Sequence, residues 1–185
     1  QVVLRELLVR EEGASYDEQR LFENSLSSQP LTFSLFANMA EDLHLATAVF
    51  RHLFPEFVLS VDQIIFESSV GRREQRFLLD GTAWDVVVRI STPEGESASI
   101  FTEIKYSEDV SGPAARLRDR YAEASRQVKL YRDPDSPALR SLAAEQFWRE
   151  HMLAQLAVDE GITSRAIFLA IGPKLNRRVM NAFSA

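Results

Sequence analysis

The hydrophobic pattern of the chain changes its period several times, and this order constrains the fold more than any other feature. Apolar residues recur at helical spacing up to about residue 54. Three segments rich in β-branched and aromatic residues follow, at 57–67, 83–91 and 97–107. Helical spacing then returns, interrupted once by a short apolar run at 164–172. Because that last strand must reach the sheet through helices, the order predicts an α/β fold with a mixed central β-sheet flanked by helices.

The helix boundaries come from capping and proline signals. A first helix is predicted over 2–12, and the capping-box pattern SYDE at 15–18 predicts the start of a second. Pro30 disfavours helix in the residue before it, so SSQP is expected to be a loop. A longer helix is predicted from about Asn38 to the residue before Pro55, with one buried stripe made of Met39, Leu43, Ala46 and Phe50. The turn TPEG at 92–95 predicts that the second and third strands form a hairpin.

Further helices are expected after the hairpin. They are predicted at 114–131, at about 138–158, and after the fourth strand, where Pro173 would lie in the first turn.

The composition predicts one globular domain. The 185 residues are 45% hydrophobic, enough for a sizeable core, and we expect residues 1–37 to form a helical extension and 38–185 the core. The chain starts without methionine and stops within a helical pattern, which suggests a truncated C-terminus and a fragment of a longer protein. With no cysteine and three scattered histidines, disulfides and thiolate metal sites are excluded and zinc is disfavoured. No apolar run could span a membrane, so we expect a cytoplasmic protein.

The charge balance limits the possible nucleic-acid binding modes. A net charge of −6 argues against a protein that holds nucleic acid by its overall field alone. It is compatible with an enzyme that has a local basic patch and a metal ion to offset an acidic site.

The segment FTEIKYSE carries the most informative residues. Glu103 and Lys105 are two residues apart on a predicted strand, so their side chains lie on one face. Taken alone, such a pair is better explained as an ion pair at a solvated edge of the sheet. Asp85 lies 18 residues before Glu103, on the neighbouring strand of the predicted hairpin. Two carboxylates that converge there with waters would provide the oxygen ligands that Mg²⁺ prefers.

An aspartate followed after about twenty residues by Glu-x-Lys on a strand hairpin resembles the PD-(D/E)xK nuclease superfamily. The likeness extends to SSQPLTFSLFANMAEDLHLATAVFRHLFP, FESSVGRREQRFLLDGTAWDVVVRI and EQFWREHMLA, and it points to a bacterial restriction endonuclease-like branch. The resemblance implies a restriction-endonuclease-like αβββαβ core and Mg²⁺-dependent hydrolysis of DNA phosphodiester bonds, with Mn²⁺ as a substitute and defence or repair as settings. Two alternatives are a nuclease-fold protein that binds nucleic acid or a protein partner without cleavage, and a structural domain.

The resemblance also implies roles for individual residues. Asp85 and Glu103 would be metal ligands, Lys105 the catalytic lysine, and Glu67 an additional acidic residue at the metal. The proline that gives the superfamily its name is missing before Asp85, where the sequence reads Ala-Trp. Asp80 is a rival acid, although its position before a glycine favours a turn.

The substrate-binding candidates lie outside the strands. They are three arginines between the first two strands, together with one glutamine whose alternative role is to cap a helix: Arg72, Arg73, Arg76 and Gln29. Surface arginines without a function are an equally good interpretation of the first three. Because a duplex has two strands to cut, a homodimer is a further expectation.

Overall fold

The structure is a computed structural model that describes residues 1–9, 14, 16–107 and 118–184. In chain order its elements are α1 (Val2–Leu8), α2 (Glu18–Glu23), α3 (Ser28–Glu41), α4 (Leu43–Leu53), β1 (Ser60–Ser68), β2 (Trp84–Ser91), β3 (Ser97–Ile104), α5 (Asp119–Gln127), a 3₁₀ turn (Pro137–Arg140), α6 (Glu145–Asp159), β4 (Ala166–Ile171) and α7 (Arg177–Phe183). The predicted order of helices and strands is confirmed, except that the structure has four helices before β1 and the sequence predicted three.

The four strands form one sheet in the order β1-β2-β3-β4. β1 pairs antiparallel with β2, and β2 with β3, whereas β4 joins β3 in parallel. The predicted hairpin is present: its turn is closed by a hydrogen bond from Gly95 N to Thr92 O, and Gly95 has the positive φ that glycine adopts without strain. The predicted α/β class with a mixed sheet is therefore confirmed.

Apolar side chains bury both faces of the sheet, because successive strand residues point to opposite sides. On one face, Val86 and Val88 pack in a core with residues from α1 to α4. On the other face, Val87 and Phe101 pack with residues from α5 and α6. Removing a fully buried aromatic such as Phe101 would cost about 3–5 kcal/mol. The helices thus hold the sheet rigidly from both sides.

The predicted long helix from about Asn38 is in fact two helices. α3 starts at Ser28, because Ser27 caps it and Pro30 falls in the first turn, where a missing N–H costs nothing. The predicted SSQP loop was therefore wrong. α3 ends at Glu41. Asp42 follows with an extended backbone, and its side chain accepts hydrogen bonds from two backbone N–H groups at the start of α4. Met39, Ala46 and Phe50 join the core, but Leu43 is 37% exposed and leaves the predicted stripe.

Several other predicted boundaries also shift. Asp17 is the N-cap of α2, and the predicted box partner Ser15 lies outside the described residues, as do residues 10–13 and 108–117. The helix predicted from 138 is a 3₁₀ turn followed by α6. α7 starts after its cap Asn176, so Pro173 precedes the helix and is not in its first turn. α3 spans residue 37, where the sequence suggested that a helical extension passes into the core of the single predicted domain.

No helix within the described ranges has the length and apolar character needed to cross a membrane.

Candidate active site

Three acidic residues lie in one row across β1, β2 and β3. Glu67 lies in β1 between the residues that pair with Trp84 and Val86, so it is opposite Asp85. Glu103 follows directly after the β3 residue that pairs with Val86, which places it on the other side of Asp85. Neighbours in such a row interact through their side chains. The structure therefore brings together the three acids that the sequence proposed as a group.

The side chain of Asp85 extends the hydrogen-bond ladder between β2 and β3 by one bond. Its Oδ2 accepts a hydrogen bond of 2.7 Å from the backbone N–H of Ile104, at the point where the ladder between β2 and β3 ends. Its Oδ1 has no hydrogen bond to any described residue. Burial, and then the negative charges of Glu103 and Glu67, raise the pKa of Asp85 well above its ordinary value. Asp85 is thus fixed by one oxygen and retains the other for a ligand.

Lys105 and Glu103 form a close and mostly buried ion pair. Lys105 Nζ lies 2.6 Å from Glu103 Oε1, and the two side chains are 11% and 4% exposed. Burial opposes the charge on Lys105, but the carboxylates of Glu103 and Glu150 outweigh it and raise the pKa of the lysine. The pair is therefore not a solvated surface ion pair. Glu103 Oε2 makes no hydrogen bond to the described part of the chain.

Two residues of α6 complete this cluster, and sequence reasoning missed both. Gln146 Oε1 accepts from Lys105 Nζ at 2.9 Å, while its Nε2 donates to Glu103 Oε1 and to Glu150 Oε1, both at 2.8 Å. Glu150 is 1% exposed, and its Oε2 has no partner among the described residues. Burial, and then the charge of Glu103, raise its pKa well above the usual range. One sequence signal could have indicated them: Gln146 and Glu150 are four residues apart, so they lie on the same helix face as the buried Leu153.

Glu67 has an unusual backbone and a perturbed carboxyl group. Its φ of 48° lies in the left-handed region that non-glycine residues rarely adopt, a strain often found at functional sites. Burial and the charge of Glu103 raise its pKa to about 7, although a hydrogen bond from Gln29 and the charge of Arg72 oppose the shift. Gln29 lies in α3 and contacts this acid, and the capping role falls to Ser27 instead.

The three predicted arginines have different surroundings. Arg72 donates to Glu67 O at 3.0 Å and to Gly81 O at 3.1 Å, so it lies beside the acidic row. Arg73 is exposed. Arg76 pairs with Glu74 at 2.7 Å and also with Glu160, at the protein surface. Only Arg72 among them has a described contact with the acidic row.

The rival acid Asp80 belongs to a separate network. Its carboxylate accepts a hydrogen bond from the backbone N–H of Thr82, as in an Asx turn. It also accepts from the Thr82 hydroxyl and from Tyr121 Oη, the latter at 2.6 Å. Arg149 lies 3.5 Å from the same carboxylate. These contacts support the turn interpretation of Asp80.

Comparison with known proteins identifies the family. A family model of the PD-(D/E)XK nuclease superfamily matches residues 1–185. The chain belongs to the PD-(D/E)XK nuclease superfamily. No curated protein and no solved structure matches it. Membership supports a nuclease-type function in general, and nucleases of this superfamily generally use divalent metal ions.

The acidic row has the donor chemistry for a divalent ion of the kind that PD-(D/E)XK nucleases use. Within the described residues, no three His, Cys, Asp or Glu side chains form a group arranged to hold a metal ion. Mg²⁺, however, commonly binds one or two carboxylates and keeps several waters. Asp85 and Glu103 each have one oxygen without a hydrogen bond to a described residue, and their negative charges repel each other. A cation would relieve that repulsion, so the residues fit the ion.

Proposed function

We propose that the protein is a divalent-metal-dependent nuclease that hydrolyses phosphodiester bonds in DNA. The observation that carries the proposal is the buried contact of 2.6 Å between Lys105 Nζ and Glu103, next to Asp85 on the neighbouring strand. A buried lysine beside convergent carboxylates places positive charge where a phosphate would meet a metal ion. Superfamily membership supports the reaction class.

Asp85 and Glu103 would hold Mg²⁺, or Mn²⁺ in its place, through their free oxygens. Glu67, opposite Asp85 in the same row, would complete the shell directly or through a water. A bound divalent ion supplies Lewis acidity at the phosphate and a water that deprotonates more easily. Because the neighbouring carboxylates raise the pKa of Lys105, it carries its proton and would stabilise negative charge that develops on the phosphate.

Gln146 acts as a positioning residue in this proposal. Its single amide group holds Lys105 and Glu103 together, so it fixes which carboxylate oxygen faces the lysine and which stays free. Outer partners of this kind commonly contribute 10- to 100-fold to metal affinity or activity, as an order of magnitude.

The residues proposed to contact the substrate are chosen by their position relative to the acidic row. Arg72 lies beside Glu67 and is the best-placed arginine to contact a phosphate near the acids. Arg73 is exposed in the same loop and could contact an incoming strand further out, whereas Arg76 already has two acidic partners. Gln29 supports Glu67 from α3. A cytoplasmic location, a homodimer, and a setting in defence or repair stay predictions.

The test is a cleavage assay on the Lys105→Ala variant. Purified protein is incubated with plasmid, linear duplex and single-stranded DNA, with Mg²⁺ or Mn²⁺ and with EDTA. We expect metal-dependent cutting by the wild type, and a loss of about 100-fold or more in the variant. Lys174→Ala, which removes an exposed lysine, is the matched control and should keep full activity.

Two results would overturn the proposal. Full activity of Lys105→Ala would remove the lysine from the mechanism. Metal-independent DNA binding by the wild type without any cutting would favour the alternative of a nuclease fold that binds and does not cleave.

A further inference from the structure

A cavity of about 370 Å³ lies on the sheet beside the acidic row. Ile65, Val87 and Phe101, from three adjacent strands, line it together with Trp84. Arg89 and Ser99, which pair with each other across β2 and β3, supply polar groups. Glu6, Ser68 and Ser69 also line it, so the cavity combines apolar side chains with one cation, one carboxylate and three hydroxyls.

Two of these polar side chains, Arg89 and Ser99, have no partner among the described residues. Arg89 is exposed on a central strand, and its guanidinium makes no hydrogen bond or ion pair there. Ser99 is 6% exposed, and its hydroxyl makes no hydrogen bond to a described residue. Glu6, which also lines the cavity, is paired with Arg5 at 3.3 Å and forms no ion pair with Arg89. A hydroxyl and a cation that line one cavity without a partner among the described residues favour an anionic ligand.

The cavity continues the acidic row along the same strands. Along β2, Asp85, Val87 and Arg89 follow one another at every second residue and so lie on one face of the sheet. Along β3, Ser99, Phe101 and Glu103 likewise follow one another at every second residue, so they share one face of the sheet. Arg89 follows Asp85 by four residues along β2, and four strand residues span about 13 Å. An anion bound at Arg89 is therefore distinct from a phosphate at the acids, although one extended strand could reach both.

We propose that this cavity binds a phosphate group of the nucleic-acid strand that the acidic row cleaves, about two phosphates away from the scissile one. Arg89 contacts the phosphate as a charge-assisted donor, and Ser99 donates its hydroxyl from the floor. This inference rests on the proposed nuclease function, because it assumes that a nucleic-acid strand is bound at the acidic row.

The test measures binding without metal, so that it does not depend on cleavage. A fluorescent oligothymidylate is titrated in EDTA at several salt concentrations with the wild type and with Arg89→Ala, Arg89→Lys and Ser99→Ala. We expect Arg89→Ala to weaken binding about fivefold or more and to reduce the salt slope by about 0.7, because one phosphate contact on a single strand is lost. Arg89→Lys should keep the slope. Ser99→Ala should weaken binding about twofold without changing the slope, because a neutral donor releases no counterion.

Arg132→Ala is the matched control, because Arg132 is exposed, has no partner among the described residues and does not line the cavity. It should leave affinity and slope unchanged. Equal effects of Arg89→Ala and Arg132→Ala, or no binding by the wild type, would overturn the inference. A wild type that cleaves DNA while Arg89→Ala binds normally would reject the cavity site and keep the nuclease. The expected binding pattern in a protein that never cleaves would keep the site and reject the nuclease.

Discussion

Replacing Glu67 with glutamine should stabilise the metal-free protein at alkaline pH. The pKa of Glu67 is raised from 4.5 to about 7 by burial and by the charge of Glu103. A pKa unit corresponds to about 1.4 kcal/mol, so ionising this carboxyl in the folded protein costs up to about 3 kcal/mol. Solvent screening at a partly buried side chain reduces the expected effect to about 1–2 kcal/mol. Because the folded protein holds this proton more tightly than the unfolded chain, the cost is absent below pH 4.5 and complete above pH 7.

Urea denaturation in EDTA, followed by tryptophan fluorescence, measures this effect. The free energy of unfolding of Glu67→Gln should equal that of the wild type near pH 4.5 and exceed it by about 1–2 kcal/mol at pH 8. Glu56→Gln removes an exposed carboxylate and should show no such pH-dependent difference. A Glu67→Gln variant that is no more stable than the wild type at pH 8 would refute the argument that the acidic row is electrostatically strained.

Three further predictions concern single side chains. Asp85→Asn should raise the melting temperature in EDTA by roughly 2–4 °C, because it removes one of the repelling charges; a destabilised variant would instead indicate a structural role. Gln146→Ala should lower kcat/KM by roughly 10- to 100-fold, whereas Gln155→Ala on the same helix should not; equal activities would remove Gln146 from the site. Gly71→Ala should lower the free energy of unfolding by roughly 2–4 kcal/mol in urea denaturation, since its φ is +54° and a Cβ would lie 1.7 Å from the Phe77 ring. Gly81→Ala, where a Cβ meets nothing within 4 Å, is the control, and equal stabilities of the two variants would contradict the steric argument.

The order of the elements was predictable because each element has a clear hydrophobic period. The three strands and their hairpin turn were located within a few residues, and this placed Asp85 and Glu103 on neighbouring strands. The break at Asp42 was not predicted, because an apolar stripe continues across it and only the capping geometry decides where α4 begins.

The composition of the candidate site was only partly predictable. The strand residues were found from local spacing, since the alternation of a strand fixes which side chains share a face. Gln146 and Glu150 contribute through tertiary packing of α6 against the end of β3, and local periodicity does not specify which strand a helix covers. The arginines were equally ambiguous, because the folded loop decides that Arg72 lies beside Glu67 while Arg76 pairs at the surface.

Isothermal titration of Mg²⁺ and Mn²⁺ tests the central claim most directly. The wild type is compared with the Asp85→Asn, Glu103→Gln double variant, which keeps the size of both side chains and removes both charges. We expect the wild type to bind metal and the double variant to lose that binding while remaining folded by circular dichroism. A wild type that binds neither ion, or a double variant that binds as well as the wild type, would contradict the claim that these two carboxylates form a metal site.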